Sequence, residues 1–251
     1  MVQRLIVHAG FHKTGTTSIQ KALKAHRAQL RPHARVGLRP AIVGLCEAAR
    51  AYSVSRSALD LGLVQYEAAE LASAWAEQDG TLLLSSEDLS GHMPGRRGLQ
   101  AYDATPKLMA AMVEAWRAVL GDVGIDLVFT TRDAAPWLAS CHMQHLRATR
   151  ITQTQADYVR AYAGSADLDG IVDAVAAAVP GMPVHRFALE DAPFGRILAL
   201  AGVPEDLWPA MPHRNRGEPD SLRATLLEIN RSDLSDEAAR AARKAAMQAK
   251  A

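Results

Sequence analysis

A chain of 251 residues with 49% hydrophobic and 22% charged residues has the make-up of a globular protein, which excludes disordered and fibrous architectures. Its 28 basic and 27 acidic residues leave a net charge of +1, so the total asks for neither nucleic acid nor an anionic membrane, although a local basic pocket can hide in a balanced sum. Two cysteines, Cys46 and Cys141, are too few for a disulfide framework or a four-ligand zinc site, and no apolar run approaches the roughly 18 residues of a membrane span. The first residues read as a strand and not as a signal peptide, so a cytoplasmic protein is expected.

In chain order, Arg4–His8 is a short apolar strand and Thr16–Leu30 a helix, followed by a weaker strand over Arg35–Leu38. The stretch Leu38–Leu63 fits neither period. A helix covers Tyr66–Glu77 and a strand Thr81–Ser86. Gly91–Gly98 holds three glycines and a proline in eight positions, which predicts a surface loop. Thr105 is expected as the N-cap of a helix over Pro106–Leu120, with Pro106 in its first turn and Gly121 as its stop. A strand over Asp126–Thr131, a helix over Pro136–Arg147, a helix over Leu168–Val179 and a strand over Val184–Phe187 follow. Helices over Phe194–Ala201, Ser221–Asn230 and from Asp236 onward close the chain. Apolar strands alternating with helices predict an α/β fold: a single domain over residues 1–251, with a mostly parallel central sheet and helices on both faces.

The first strand runs into His8-Ala9-Gly10-Phe11-His12-Lys13-Thr14-Gly15-Thr16-Thr17-Ser18 and then a helix. A glycine-bearing turn between strand and helix gathers backbone N–H groups at one point, and the helix N-terminus adds its positive end, so together they make an anion site. Gly15 lets the backbone approach an oxygen, Thr14, Thr16, Thr17 and Ser18 supply hydroxyls, and Lys13 brings a full charge. Gly10 and Gly15 have the separation of the nucleotide-triphosphatase loop G-x-x-x-x-G-K-S/T, but Thr16 stands where that loop has its lysine. The cation lies two residues before Gly15 instead, which weakens an ATPase or kinase reading.

The run His12-Lys13-Thr14-Gly15-Thr16-Thr17-Ser18 resembles the 5′-phosphosulfate loop of sulfotransferases that use 3′-phosphoadenosine-5′-phosphosulfate (PAPS), in the form of the carbohydrate-type and bacterial branches. A second pattern lies after the strand Asp126–Thr131. Arg132 at the carboxyl end of a parallel strand points to the crevice where such sheets bind ligands, and its planar fork suits a phosphate. Ser140 follows on the next helix with seven residues between, the spacing that in the resembling family holds the 3′-phosphate of the donor. A looser resemblance covers a basic turn whose Asn215 and Arg216 correspond to a late loop closing over the nucleotide.

The resemblance implies transfer of a sulfuryl group from PAPS to a hydroxyl or amine of a small-molecule or saccharide acceptor, with adenosine 3′,5′-bisphosphate as product and no metal. Lys13 is the candidate for neutralising charge at the transferring group. Glu87, at the end of the strand Thr81–Ser86, is the candidate general base, with His12 its competitor. Two other readings stay open: an ATP and Mg²⁺-dependent phosphotransferase, with Leu82–Glu87 as an acidic magnesium strand, and a nucleotide-binding protein without turnover. His142 and His145 read as helix-surface histidines, and Arg147 and Arg150 as a solvated helix end. Acceptor identity and oligomeric state are not legible in the chain.

Overall fold

The computed structural model describes residues 2–209 and 220–249. Five strands, β1 (Val2–His8), β2 (Ala34–Leu38), β3 (Gly80–Ser85), β4 (Gly124–Thr131) and β5 (Val184–Ala188), form one sheet in the order β2-β3-β1-β4-β5. Every neighbouring pair is parallel, and all five expected strands are present. In the register, Leu5 faces Leu82 and Ile125, and Val7 faces Leu84 and Leu127. Leu5, Ile6 and Val7 are all buried, as a strand covered on both faces requires.

Eleven α-helices are described: α1 (Thr16–Ala25), α2 (Arg27–Leu30), α3 (Val43–Ser55), α4 (Ala58–Trp75), α5 (Thr105–Leu120), α6 (Ala134–Ala148), α7 (Gln155–Ala161), α8 (Leu168–Ala178), α9 (Phe194–Leu200), α10 (Asp220–Arg231) and α11 (Asp236–Gln248). The expected helix Thr16–Leu30 is interrupted at His26, whose φ of −104° and ψ of 16° separate α1 from α2. Leu38–Leu63, which follows neither period, contains α3 and the start of α4. Thr105 is the first residue of α5 and not its cap; its hydroxyl donates to the Ser90 carbonyl, Pro106 sits in the first turn and Gly121 stops the helix at φ 72°. Gly91–Gly98 departs from the expected surface loop. Its first half is buried, with Met93 at 0% exposure, because the Ser53 hydroxyl accepts from the His92 N–H and α3 packs against this segment.

The chain divides into two compact units, one containing residues 2–132 and 167–209, the other residues 133–166 and 220–249. The first holds the sheet. Ile6, Leu83 and Val128 on one face pack with Ile19, Ala22 and Leu23 of α1 and with Phe194, Ile197 and Leu198 of α9. Asp126 is a carboxylate buried on β4. It accepts from Arg4 Nε at 2.8 Å and pairs with His185 Nε2 at 2.7 Å, which satisfies a group that would otherwise be costly to bury.

The second unit is helical. Met143 and Leu146 of α6 pack with Leu222 and Leu226 of α10. The buried Asn230 amide donates to the carbonyls of Leu146, Thr149 and Ile151, closing the end of α6, and its Oδ1 accepts from Arg243. Arg150 is not a solvated helix end: its guanidinium donates to Asn230 O at 3.1 Å and to Asp236 at 2.9 Å. His142 and His145, expected on the surface, are both fully buried. Tyr158 of α7 packs on the two rings, its hydroxyl meets His145 Nδ1, and His142 Nε2 donates to Gln153 O.

Candidate functional site

The sheet order sets where a ligand would lie. The chain leaves β1 toward β2 on one side and later crosses to β4 and β5 on the other, so the carboxyl end of β1 is the switch point where parallel sheets leave a crevice. Residues 9–15 fill that edge. Gly10 has φ 50° and Gly15 φ 91°, in the left-handed region that glycine occupies at little cost. A Cβ on Gly15 would meet Leu189 Cδ1 at 2.5 Å, and one on Gly10 would meet Thr16 Cγ2 at 2.7 Å. The backbone angle therefore selects glycine at both positions, and at Gly10 the side chains of Thr16, His8 and Thr130 also leave a Cβ little room.

Lys13 is left-handed too, at φ 69°. For a residue with a side chain this costs roughly 1–2 kcal/mol, and such strain gathers where a loop is shaped for a ligand. Gly15 is the N-cap of α1, and no side chain caps the helix there. The first turn of α1 thus turns the N–H groups of Thr16 and Thr17 and its positive end to the loop, while that of Ser18 is taken by the Gly15 carbonyl.

Thr14 supports the loop from beneath. It is fully buried, and its hydroxyl donates to the Phe11 carbonyl at 2.7 Å and lies 2.7 Å from the Thr130 hydroxyl on β4. Thr130 in turn lies 3.4 Å from His8 Nε2, while His8 Nδ1 meets the Ser85 hydroxyl of β3 at 2.8 Å. Ser90 donates to Gly10 O at 2.8 Å. One buried network therefore ties the loop to β1, β3 and β4.

Burial holds the His8 imidazole down at about 4, so it is neutral inside the folded protein near neutral pH. Once unfolded it regains its ordinary value of 6.5 and takes up a proton as pH falls. Stability is therefore expected to fall by roughly 3 kcal/mol between pH 6.5 and 4 on account of this group. His92, held down at about 4 by burial and then by Arg50, Arg96 and Arg97, acts in the same window. Melting temperatures across this range should flatten, though not level out, in His8→Gln; an unchanged slope would remove His8 as the cause.

Arg132 comes to the loop. Its Nη1 donates to the carbonyl of Lys13 at 3.2 Å, so the guanidinium delivered by β4 and the loop delivered by β1 meet at one place. Thr17 is exposed, Ser18 half-buried and Thr16 buried at the start of α1. Ser140 lies half-buried on α6, in the second unit, and its pairing with Arg132 rests on sequence spacing. Asn215 and Arg216 lie outside the described residues.

Glu87 opens a short 3-10 turn, Glu87–Ser90, directly after β3. Ser86 precedes it, donating its N–H to His8 O at 3.1 Å and accepting from Asp88 N–H. Glu87 Oε2 accepts from Gln20 of α1 at 2.6 Å, one turn past Thr16 and Thr17. Asp88, its neighbour, is an ion-pair hub: Arg39 Nε donates to it at 2.7 Å and His12 Nε2 stands 3.5 Å away. Burial alone would push its carboxyl up, but the hydrogen bonds from His12 and Arg39 outweigh it and hold the group down at about 2.

The Tyr102 hydroxyl accepts from the His12 backbone N–H at 3.0 Å and meets His12 Nδ1 at 2.9 Å. The His12 Nε2 faces Asp88. His12 is thus held at both ring nitrogens, whereas Gln20 takes one oxygen of Glu87. Sequence reading overlooked Gln20, Tyr102 and Arg39. Gln20 was within reach of it, standing four residues after Thr16 on the same helix face; Tyr102 and Arg39 carry no local signal.

No protein-family model matches the chain, and no curated protein matches it. A solved structure is similar, that of the sulfotransferase from Alicyclobacillus acidocaldarius. It is 16% identical, with 96% of this chain and 99% of that chain covered and a TM-score of 0.47. Among the described residues no helix is long and apolar enough to cross a membrane.

Proposed function

We propose that the protein transfers a sulfuryl group from PAPS to a hydroxyl or amine of a small-molecule or saccharide acceptor, and that it works in the cytoplasm as one sulfotransferase-like domain. The observation that supports this most is the meeting of Arg132 with the Lys13 carbonyl, which joins two cationic elements of the sequence at the uncapped start of α1. The donor set fits a doubly anionic nucleotide: the N–H groups at residues 15–17 and the hydroxyls of Thr17 and Ser18 on a loop that Thr14 braces, a lysine, and a guanidinium with planar donors.

In this reading residues 13–18 hold the 5′-phosphosulfate, and Arg132 with Ser140, Asn215 and Arg216 holds the far end with its 3′-phosphate. The bound donor supplies an activated sulfuryl group on a phosphate leaving group. Lys13 lies where negative charge grows as the bond to that phosphate breaks, and stabilises it there. Glu87 removes the proton from the acceptor hydroxyl or amine through the oxygen that Gln20 does not take. Gln20 fixes the carboxylate, and Asp88, locked by Arg39 and His12, keeps the neighbouring turn in place. The two buried thiols take no part: burial pushes Cys46 up to about 12, and Cys141 is 1% exposed.

Arg132→Ala is expected to weaken adenosine 3′,5′-bisphosphate binding by about 1.5–3 kcal/mol, roughly 10- to 150-fold, as for a charge-assisted hydrogen bond. Adenosine 5′-phosphate, which has no 3′-phosphate, should lose clearly less, only what the missing bond to the Lys13 carbonyl costs the loop. Calorimetric titration of both nucleotides checks this. Undiminished bisphosphate binding by the variant would show that Arg132 does not hold the 3′-phosphate. Dependence of turnover on ATP with Mg²⁺ would replace the reading with phosphoryl transfer, and tight bisphosphate binding with no loss of sulfate from PAPS in any acceptor screen would replace it with binding alone.

A further inference from the structure

At the end of α1 farthest from the loop, a cleft of about 650 Å³ opens beside β2, the edge strand of the sheet. That volume is in the range of sites for drug-sized ligands. Its polar lining is one-signed: Lys24, Arg27, Arg31 and Arg35, with Gln78 and no carboxylate among the described lining residues. In a chain of net charge +1, four cations gathered on one concavity are a local excess.

The four are not equivalent. Arg27 Nη2 donates to Val36 O at 2.9 Å and Arg35 Nη1 to Gln78 Oε1 at 3.1 Å, so these two guanidiniums are held in place. Lys24 and Arg31 are exposed, with no hydrogen-bond or ion-pair partner among the described residues. The rest of the lining is apolar. The indole of Trp75 lies against β2 at Gly37, where a Cβ would meet ring atom Cη2 at 2.7 Å. Gly37 is what lets the ring lie on the strand and present a flat wall to the cleft.

We propose that this cleft is a second ligand site for a small anionic amphiphile, a ring or short-chain body carrying a sulfonate, sulfate, phosphate or carboxylate. The body rests on Trp75 and the apolar floor, and the anion is taken by Lys24 and Arg31, with Arg27 and Arg35 raising the local positive potential. A neutral ligand would leave Lys24, Arg27 and Arg31 without a counter-anion in the cleft; Asp79, just outside the lining, acts on Arg35. A polyanion of many charges would outrun a concavity of this size. The site shares no residue with the loop and does not depend on the donor assignment.

Naphthalene-1-sulfonate is the probe, titrated into the full-length protein by calorimetry. Saturable one-to-one binding is expected, with naphthalene-1-methanol at least tenfold weaker. Lys24→Glu combined with Arg31→Glu should weaken the sulfonate at least tenfold while leaving the far-UV circular dichroism and the binding of adenosine 3′,5′-bisphosphate unchanged. Should that double reversal fail to fold, Arg31→Gln alone, of similar reach without charge, is expected to weaken the probe several-fold. Absence of saturable binding to wild type, equal affinity in the variants, equal affinity for the neutral alcohol, or displacement of the sulfonate by adenosine 3′,5′-bisphosphate would each overturn the proposal.

Discussion

Lys13→Ala is expected to abolish measurable turnover, lowering kcat by at least about 10²–10³-fold, the usual result of deleting one donor aimed at developing charge. The fold should persist, because alanine keeps the same left-handed backbone and Thr14, Ser90 and Arg132 still pin the loop. Lys13→Gly sharpens the test. At φ 69° a residue without Cβ removes strain, so this variant should be more stable than Lys13→Ala by roughly 1 kcal/mol and equally inactive. That combination, stability gained and turnover lost, is the signature of strain kept for function. Sulfate release from labelled PAPS in an acceptor-library screen, alongside thermal melts, measures both. Retention of wild-type kcat in Lys13→Ala would remove the lysine from the chemistry.

Glu87→Gln is expected to lower kcat by about 10²–10⁴-fold, the range for losing a positioned general base, with affinity for adenosine 3′,5′-bisphosphate largely kept. The amide still pairs with Gln20, so the turn after β3 stays in place. What distinguishes a base from a positioning group is the pH profile of kcat: an acidic limb present in wild type and missing in the variant marks a base. An unaffected rate would shift the role to His12. Glu87 stays the first choice because one of its oxygens is left by Gln20, whereas Tyr102 and Asp88 stand against both ring nitrogens of His12.

The strands were legible because a parallel strand buried on both faces is a short apolar run with turn residues at its ends, as in Leu82–Leu84 and Leu127–Phe129. α3, α7 and the first half of α4, ahead of the expected helix at Tyr66, escaped, and α4 has a blurred stripe. α4 buries only Val64, Ala68 and Ala72, while Leu59, Leu63 and Tyr66 are exposed, so its apolar residues do not lie on one side. The caps of α4 and α7 were nevertheless written in the chain. Ser57 accepts from Asp60 N–H at the start of α4, and Thr154 from Asp157 N–H at the start of α7. Both are Ser or Thr followed three residues later by an acid, a signal of the capping kind that went unread.

For the candidate site, the loop and its lysine were visible as contiguous residues, and so was the arginine at a strand end. Invisible were contacts made at long sequence separation, such as Tyr102 to His12 and Gln20 to Glu87, which only the packing of the sheet edge brings about. The two buried histidines of α6 were misplaced for the same reason, since α7, which covers them, was not recognised.

The buried chain from Ser85 through His8 and Thr130 to Thr14 has a bearing on how fast and how economically a ligand is taken up. A cradle braced from below by three strands already has its shape before anything arrives. Little ordering entropy is then lost on capture, and the preorganised groups need not be recruited one by one. Association should accordingly be a single-step process, quick and weakly dependent on temperature, with no slow phase of loop rearrangement.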